Sequence, residues 1–244
     1  NINGPIPSEI GLMAALMTFD AHGNSLRGPL PSELGLLESM EAFLISNTAV
    51  SGPLPDETFW SLPNLRRFEA ADCDLSDTIP ASMGLASNLA TLQLNNNDFG
   101  GPIPSELGML AVLRQLALSG NRLTGRLPPE LGQLTSLFEF YGNDNAFTGD
   151  IPSAYGNWVD LTVATFDQTD LSGSMPEAIC DLGVELLYAD CKRVTCSCCG
   201  YCCDATTCSW AGDGTDPGKA ERVIAVSSSG KNVPPLSPLP TGTD

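Results

Sequence analysis

Nine cysteines are the most reactive side chains of this sequence, and eight of them fall between positions 180 and 208. Cysteines this dense in a short segment favour disulfide bonds made in an oxidising compartment. Spacing alone does not select the pairing. A zinc site is the alternative, but companion histidines and the paired spacing of a zinc ribbon are missing. We therefore predict disulfide bonds among Cys180, Cys191, Cys196, Cys198, Cys199, Cys202, Cys203 and Cys208.

Catalytic chemistry has little support in the sequence. His22 is the only histidine, so Ser-His-Asp, Cys-His and histidine-rich metal sets cannot be assembled. Carboxylate pairs such as Glu69 with Asp72 occur, but nothing marks either one as buried or raised in pKa, as a general acid requires. We predict a protein that is not an enzyme and uses no cofactor.

Neighbouring carboxylates offer calcium binding as a weaker alternative. Asp74 and Asp98 lie 24 residues apart, beside Asp72 and Asn96. Carboxylate and amide oxygens are the ligands that calcium prefers, so close stacking of these four could hold the ion. Acidic loops of this type are common without a metal, and we predict none here.

A short sequence motif, here called the phrase, recurs almost evenly along the chain and sets the spacing of all these residues. It reads Gly-Pro-Ile-Pro at 4–7 and returns, with variations, to give eight copies. Successive copies begin 24 residues apart, except for one interval of 25. A fixed period of this length is typical of a solenoid, in which each unit buries its apolar face against its neighbours. The additional residue falls within 56–61, where we expect an outer loop that leaves the strand register intact.

Each repeat also contains a leucine pattern that predicts one short strand. Leu116 and Leu118 are separated by a single residue, which indicates the two-residue period of a strand. Asn121 follows where the chain leaves the strand, and its amide can bond the backbone of neighbouring turns. Other repeats place Thr or Cys in this slot, so we expect Cys73 to be a buried thiol rather than a bridging one.

Parallel stacking would align the outward side chains of these strands in rows about 4.8 Å apart. The aligned positions predict a wall of polar side chains in the middle of the array. Amides, charges of both signs and a tyrosine suit a hydrogen-bonding ligand such as a peptide, a protein loop or a sugar chain. The predicted binding residues are Arg67, Glu69, Gln93, Asn95, Gln115, Glu139, Tyr141, Asn143, Thr165 and Asp167.

The full pattern resembles the plant-type leucine-rich repeat, Leu-x-x-Leu-x-x-Leu-x-Leu-x-x-Asn-x-Leu-x-Gly-x-Ile-Pro-x-x-Leu-Gly. This pattern is found in receptor-kinase ectodomains and in polygalacturonase-inhibiting proteins. The resemblance implies a right-handed, mostly β superhelix with a parallel sheet on its concave face and short extended or 3₁₀ segments on its convex face. The cysteine-rich end departs from the two-cysteine cap of plant proteins and resembles secreted repeat proteins of algae.

These patterns divide the chain into three segments. Residues 1–179 carry the repeats and start inside one, so we expect an amino-terminal cap to precede them. Residues 180–208 form the cysteine-rich cap, and residues 209–244 a Pro/Gly/Ser-rich tail or arm that could join a larger assembly.

The charge and hydropathy of the chain exclude some classes of partner. A formal charge of −18 excludes nucleic acid as an expected partner, because phosphate binding needs a basic surface. No segment has the length and hydrophobicity for membrane insertion. We predict a secreted or cell-surface binding module for a protein or glycan, with an oxidising organelle lumen as the alternative location. A structural subunit of a larger complex and an inhibitor of a secreted hydrolase are alternative functions.

Overall fold

The structure is a computed structural model that describes residues 2–203 and 208–210 as a stack of similar turns. Each turn of the repeat region adds one short strand to a main sheet. Neighbouring main-sheet strands pair in parallel and in chain order, except for an antiparallel last pair. The main-sheet strands are Thr18–Asp20, Ala42–Leu44, Arg67–Glu69, Thr91–Gln93, Gln115–Ala117, Glu139–Tyr141, Val163–Thr165, Leu186–Ala189, Tyr201–Cys203 and Cys208–Trp210. The predicted parallel sheet and solenoid are confirmed.

A second parallel sheet runs beside the first, where the sequence predicted only extended segments. Where proline follows the phrase glycine, as at Gly28, Gly52 and Gly101, the strand ends at that glycine, because proline has no N–H to donate to the ladder. Pairing in this sheet is staggered by two residues relative to the repeat, since Gly28 lies opposite Val50 and not opposite Gly52. The strands are Asn3–Gly4, Ser25–Gly28, Ala49–Gly52, Asp74–Thr78, Asp98–Gly101, Arg122–Gly125, Ala146–Asp150, Asp170–Ser174 and Val194–Thr195.

Short helical turns form the third side of the stack. The 3₁₀ helices are Ser8–Leu12, Ser32–Leu36, Ala81–Leu85, Ser105–Met109, Pro129–Gln133 and Ser153–Asn157, and the α-helices are Glu57–Trp60 and Glu177–Cys180. In the described part of the chain, no helix is long and apolar enough to span a membrane.

The 25-residue repeat accommodates its additional residue in the helix Glu57–Trp60. Asp56 caps this helix, since its Oδ1 accepts a hydrogen bond of 3.1 Å from the N–H of Thr58. On either side the main sheet keeps its register, with Leu44 opposite Glu69. The predicted outer location is confirmed.

The interior of the stack is apolar and continuous from turn to turn. Leu113, Leu116 and Leu118 are fully buried, and their counterparts in neighbouring turns pack on them. Tyr155 and Trp158 add stacked aromatic rings whose centroids lie 4.0 Å apart. Their polar atoms donate to backbone carbonyls of earlier residues, which satisfies groups that burial would otherwise leave unpaired.

Buried asparagines connect the turns through their amides, as the sequence predicted. Asn97 Nδ2 donates to the carbonyl of Ala70 at 2.7 Å, and its Oδ1 accepts from the N–H of Leu75 at 3.0 Å. Cys73 takes the same slot as a free, buried thiol that donates to the carbonyl of Ile45 at 3.3 Å. Burial raises the pKa of this thiol.

Candidate functional site

On the side of the main sheet that faces away from the core, the side chains lie in continuous rows. This surface is here called the wall. Leu44, Glu69 and Gln93 occupy consecutive positions of the central row, as the predicted register requires. The row also reaches Tyr188, which lies opposite Thr165 and which the sequence left unassigned. The strands therefore bring the predicted binding residues together on one surface.

The first turns of the wall form an open groove of about 430 Å³. Three predicted binding residues, Arg67, Glu69 and Gln93, are partly or fully exposed in it, and Asn95 lies at its buried border. The predicted site extended further along the chain and left out the other residues that line this groove. Those other lining residues are Asp20, His22, Leu44, Ser46, Asn47, Ala71 and Asp72.

One ion pair and one hydrogen-bonded His–Asp pair give the open groove its polar character. Arg67 Nη2 lies 2.6 Å from Glu69 Oε1, with the arginine side chain 47% exposed. His22 Nδ1 lies 2.6 Å from Asp20 Oδ1, and both side chains are exposed. The hydrogen bond from His22 lowers the pKa of Asp20. The groove thus presents both signs of charge together with the amide of Gln93.

The rest of the wall is closed to solvent, which differs from the sequence expectation. We expected outward strand positions to face water, yet the other predicted binding residues are only 1–3% exposed. These are Asn95, Gln115, Glu139, Tyr141, Asn143, Thr165 and Asp167. Burial removes them from direct contact with a ligand in this conformation, so the open groove is the better candidate site.

A chain of side-chain hydrogen bonds links the open groove to the buried part of the wall. Gln93 Nε2 donates to Gln115 Oε1 at 2.8 Å, and Gln115 Nε2 donates to Glu139 Oε2. Further along, Thr165 Oγ1 donates to Asn143 Oδ1 at 2.7 Å. The buried Gln115 and Glu139 therefore form one hydrogen-bonded chain with the groove residue Gln93, which the amide of Gln115 orients, and Asn143 and Thr165 form a separate pair.

Burial changes the acidity of two groups in this closed part. Desolvation is the main cause that raises the pKa of Asp167 to about 6, against backbone hydrogen bonding that lowers it. Desolvation, followed by the charge of Glu139, also raises the pKa of Tyr141. Asp167 is therefore close to neutral at mildly acidic pH.

Replacing Asp167 with asparagine should stabilise the protein at pH 7 but not at pH 4. The folded-state pKa of about 6 lies above the ordinary value, so the wild type loses stability as pH rises through this window. A shift of roughly two units corresponds to about 2–3 kcal/mol at most. Urea unfolding at both pH values measures the difference. Asp160→Asn, at an exposed position, should show no such dependence, and an equal gain at both pH values would contradict the prediction.

Asp72 and Asp98, two of the acidic positions considered for calcium, are engaged in other contacts. Asn96 Nδ2 donates to Asp72 Oδ1 at 2.9 Å, and Arg122 pairs with Asp98 at 2.7 Å. Across residues 2–203 and 208–210, no group of three histidine, cysteine or acidic side chains is arranged to hold a metal. The arrangement gives no support to the calcium alternative.

Disulfide bonds close the carboxyl end of the repeats. Cys180 bonds to Cys198, and Cys196 bonds to Cys199. Cys191 is also disulfide-bonded. The presence of disulfides is confirmed, whereas the predictions for the side chains of Cys202, Cys203 and Cys208 and for the tail beyond 210 lie outside the described part.

Comparisons with known proteins agree with the geometry. The sequence profile named Leucine Rich Repeat matches residues 88–110 and 112–134. A comparison with curated protein sequences gives no significant match. Among solved structures, the ectodomain of the Arabidopsis thaliana receptor kinase GASSHO1/SCHENGEN3, in complex with CASPARIAN STRIP INTEGRITY FACTOR 2, is 33% identical with a TM-score of 0.75. The match covers 80% of this chain and 23% of that one.

Two further solved structures are similar to this chain. The Arabidopsis receptor kinase HAESA, in complex with the peptide hormone IDA and the co-receptor SERK1, is 29% identical with a TM-score of 0.70, over 76% of this chain and 31% of that chain. A plant ice-binding protein shares the fold at 23% identity and a TM-score of 0.61, over 77% and 68%. The chain thus spans about a quarter to a third of the receptors it matches. The chain contains leucine-rich repeats, and these stack as a solenoid similar to the ectodomains of plant receptor kinases.

Proposed function

We propose that this chain is a non-catalytic ligand-binding module that takes an extended peptide segment into the open groove. The observation that carries the proposal is the exposed Arg67–Glu69 pair beside Gln93, on adjacent strands. A peptide offers N–H donors, carbonyl acceptors and charged side chains to such a surface. Similarity to HAESA, which was solved with a peptide hormone, supports the same ligand class.

The composition of the groove favours a peptide over a sugar chain. Sugars commonly bind through flat aromatic side chains, and none of the described residues lining the groove is Phe, Tyr or Trp. Tyr141 and Tyr188 of the wall are buried, and the half-buried Tyr201 stacks on Tyr188 near the other end of the main sheet. Paired charges at the open end suit a ligand that carries charges of its own.

Secretion to the cell exterior or display on its surface is the location that fits this function. The disulfide bonds indicate an oxidising compartment, and the similar ectodomains belong to membrane receptor kinases. An oxidising organelle lumen is the alternative.

Selection from a random peptide phage library tests the proposed ligand class. Peptides enriched on the wild type should bind at least tenfold more weakly to Arg67→Ala and to Glu69→Ala, a loss of about 1.4 kcal/mol. The matched control is Arg126→Ala, because Arg126 is exposed away from the wall. Binding that survives both groove substitutions, or fails equally with the control, would refute the proposal.

A further inference from the structure

Four large apolar side chains project from the helical side of the stack, far from the groove. Their exposed fractions are between 45% and 84%, well above those of the core leucines. We call this set the outer stripe; it consists of Leu12, Leu36, Leu85 and Met109. Scattered exposed leucines need no explanation, but a set aligned on one side of the stack forms a patch.

Each member occupies the last position of its own 3₁₀ helix, and these helical turns stack in chain order. Leu12 and Leu36 lie on adjacent turns, as do Leu85 and Met109, at roughly the 4.8 Å spacing of the paired strands, whereas Leu36 and Leu85 are two turns, roughly 9.6 Å, apart. In the intervening turn, Ser61 takes this place. Thr58 precedes Ser61 by three residues and packs against Gly35, just as Glu33 precedes Leu36 by three residues and packs against Gly11. Beyond Met109 the same place holds exposed Gln133 and Asn157, so the apolar part has a defined end.

Carboxylates accompany the stripe. Glu9, Glu33 and Glu106 precede three of its members by three residues, and side chains at this spacing eclipse in a 3₁₀ helix. Within the described residues, the ion pairs that the structure shows involve none of these glutamates. The stripe is thus an apolar strip with an unneutralised acidic margin.

The spacing of the stripe fits a helix better than an extended chain. The apolar face of a partner α-helix repeats its side chains once per helical turn, every 5.4 Å. This is close to the spacing of about 4.8 Å between successive turns of the solenoid. An extended peptide presents side chains on one face about 6.6–6.8 Å apart, so after one or two residues they no longer align with the solenoid turns. Lysine or arginine beside the apolar row of the helix would meet the acidic margin.

We propose that the outer stripe is a second binding surface, and that it takes an amphipathic basic helix of a partner protein. The helix lies along the solenoid axis and packs its apolar row on Leu36, Leu85 and Met109. This surface is separate from the open groove, so a ligand there and a helix here can be bound together.

A short synthetic helix with leucines on one face and lysines on the other is the probe. Its affinity, measured by fluorescence anisotropy, should fall at least tenfold in the double variant Leu36→Gln/Met109→Gln. Glutamine is chosen because Gln133 occupies the equivalent place in the native chain, so folding is preserved. Val159→Gln, at another exposed apolar position outside the stripe, is the matched control and should bind as the wild type does.

Further arms separate this surface from general attraction of a cationic peptide to an acidic protein. A peptide of the same composition with its leucines scattered around the helix should bind at least tenfold more weakly, and Arg67→Ala should bind the probe unchanged. Equal binding of both peptides, or equal binding by the double variant, would overturn the proposal. Sedimentation that shows a dimer abolished by the double variant would assign the stripe to a second copy and also overturn it.

Discussion

Replacing Asn145 with alanine should lower the free energy of unfolding by about 3 kcal/mol. The buried amide accepts from the N–H of Leu123 at 3.0 Å and donates to the carbonyl of Leu118 at 3.0 Å, both on the preceding turn. Two further bonds of 3.3 Å run to carbonyls of its own turn. Alanine leaves these groups without their partner, and each buried unpaired group costs about 1–3 kcal/mol.

Chemical denaturation followed by circular dichroism measures this loss, and hydrogen exchange should show the largest change at the N–H of Leu123. Asn88→Ala is the matched control, because its exposed amide makes one bond to the carbonyl of Pro63. It should cost less than about 1 kcal/mol. Asn145→Thr should give an intermediate loss, since Thr48 and Thr169 occupy the same slot. A loss no larger than that of Asn88→Ala would show that the amide does not hold the turns together.

Gly108→Ala is the second substitution with a large expected effect. A Cβ at this position would lie 2.4 Å from the carbonyl oxygen of Glu130, an atom of the next turn's backbone. Backbone cannot yield as a side-chain end does, so the helical turns must separate and disturb the core beneath them. We expect a loss of about 3 kcal/mol in unfolding free energy.

Gly100→Ala tests whether crowding rather than backbone freedom is the cause. A Cβ at Gly100 would meet only the carbonyl oxygen of Arg122, at 3.9 Å, so this variant should change stability by about 1 kcal/mol or less. Urea midpoints of the two variants make the comparison. Equal midpoints would mean that the helical turns are not closely stacked at Gly108.

The main-sheet strands up to Val163–Thr165, their register and the asparagine slots could be predicted from the sequence. The repeats carry similar local signals: the slot of Asn121 holds asparagine at 24, 97 and 145 as well, and threonine or cysteine at 48, 73 and 169. The phrase glycine permits unusual backbone angles, and Gly101 has φ +72°. Asp77 replaces glycine in one copy and has φ +78°, which shows that the turn itself imposes the angle.

Contacts between turns could not be predicted with the same certainty. The Leu-Gly glycine has no distinguishing neighbour in the sequence, because the atom that excludes a side chain at Gly108 belongs to the following repeat. The second sheet is a similar case. Extended segments were predicted, but their hydrogen bonds depend on how closely successive turns approach.

The candidate site shows the same distinction between local sequence signals and contacts made in the folded structure. The sequence by itself determined which side chains lie on the wall and in what order, since alternation along a strand is a local property. Only the tertiary structure decided that Arg67, Glu69 and Gln93 face an open groove while Glu139, Tyr141 and Asp167 are buried. Exposure depends on everything that packs around a side chain, and a repeating sequence gives equivalent positions the same pattern whether or not they reach solvent.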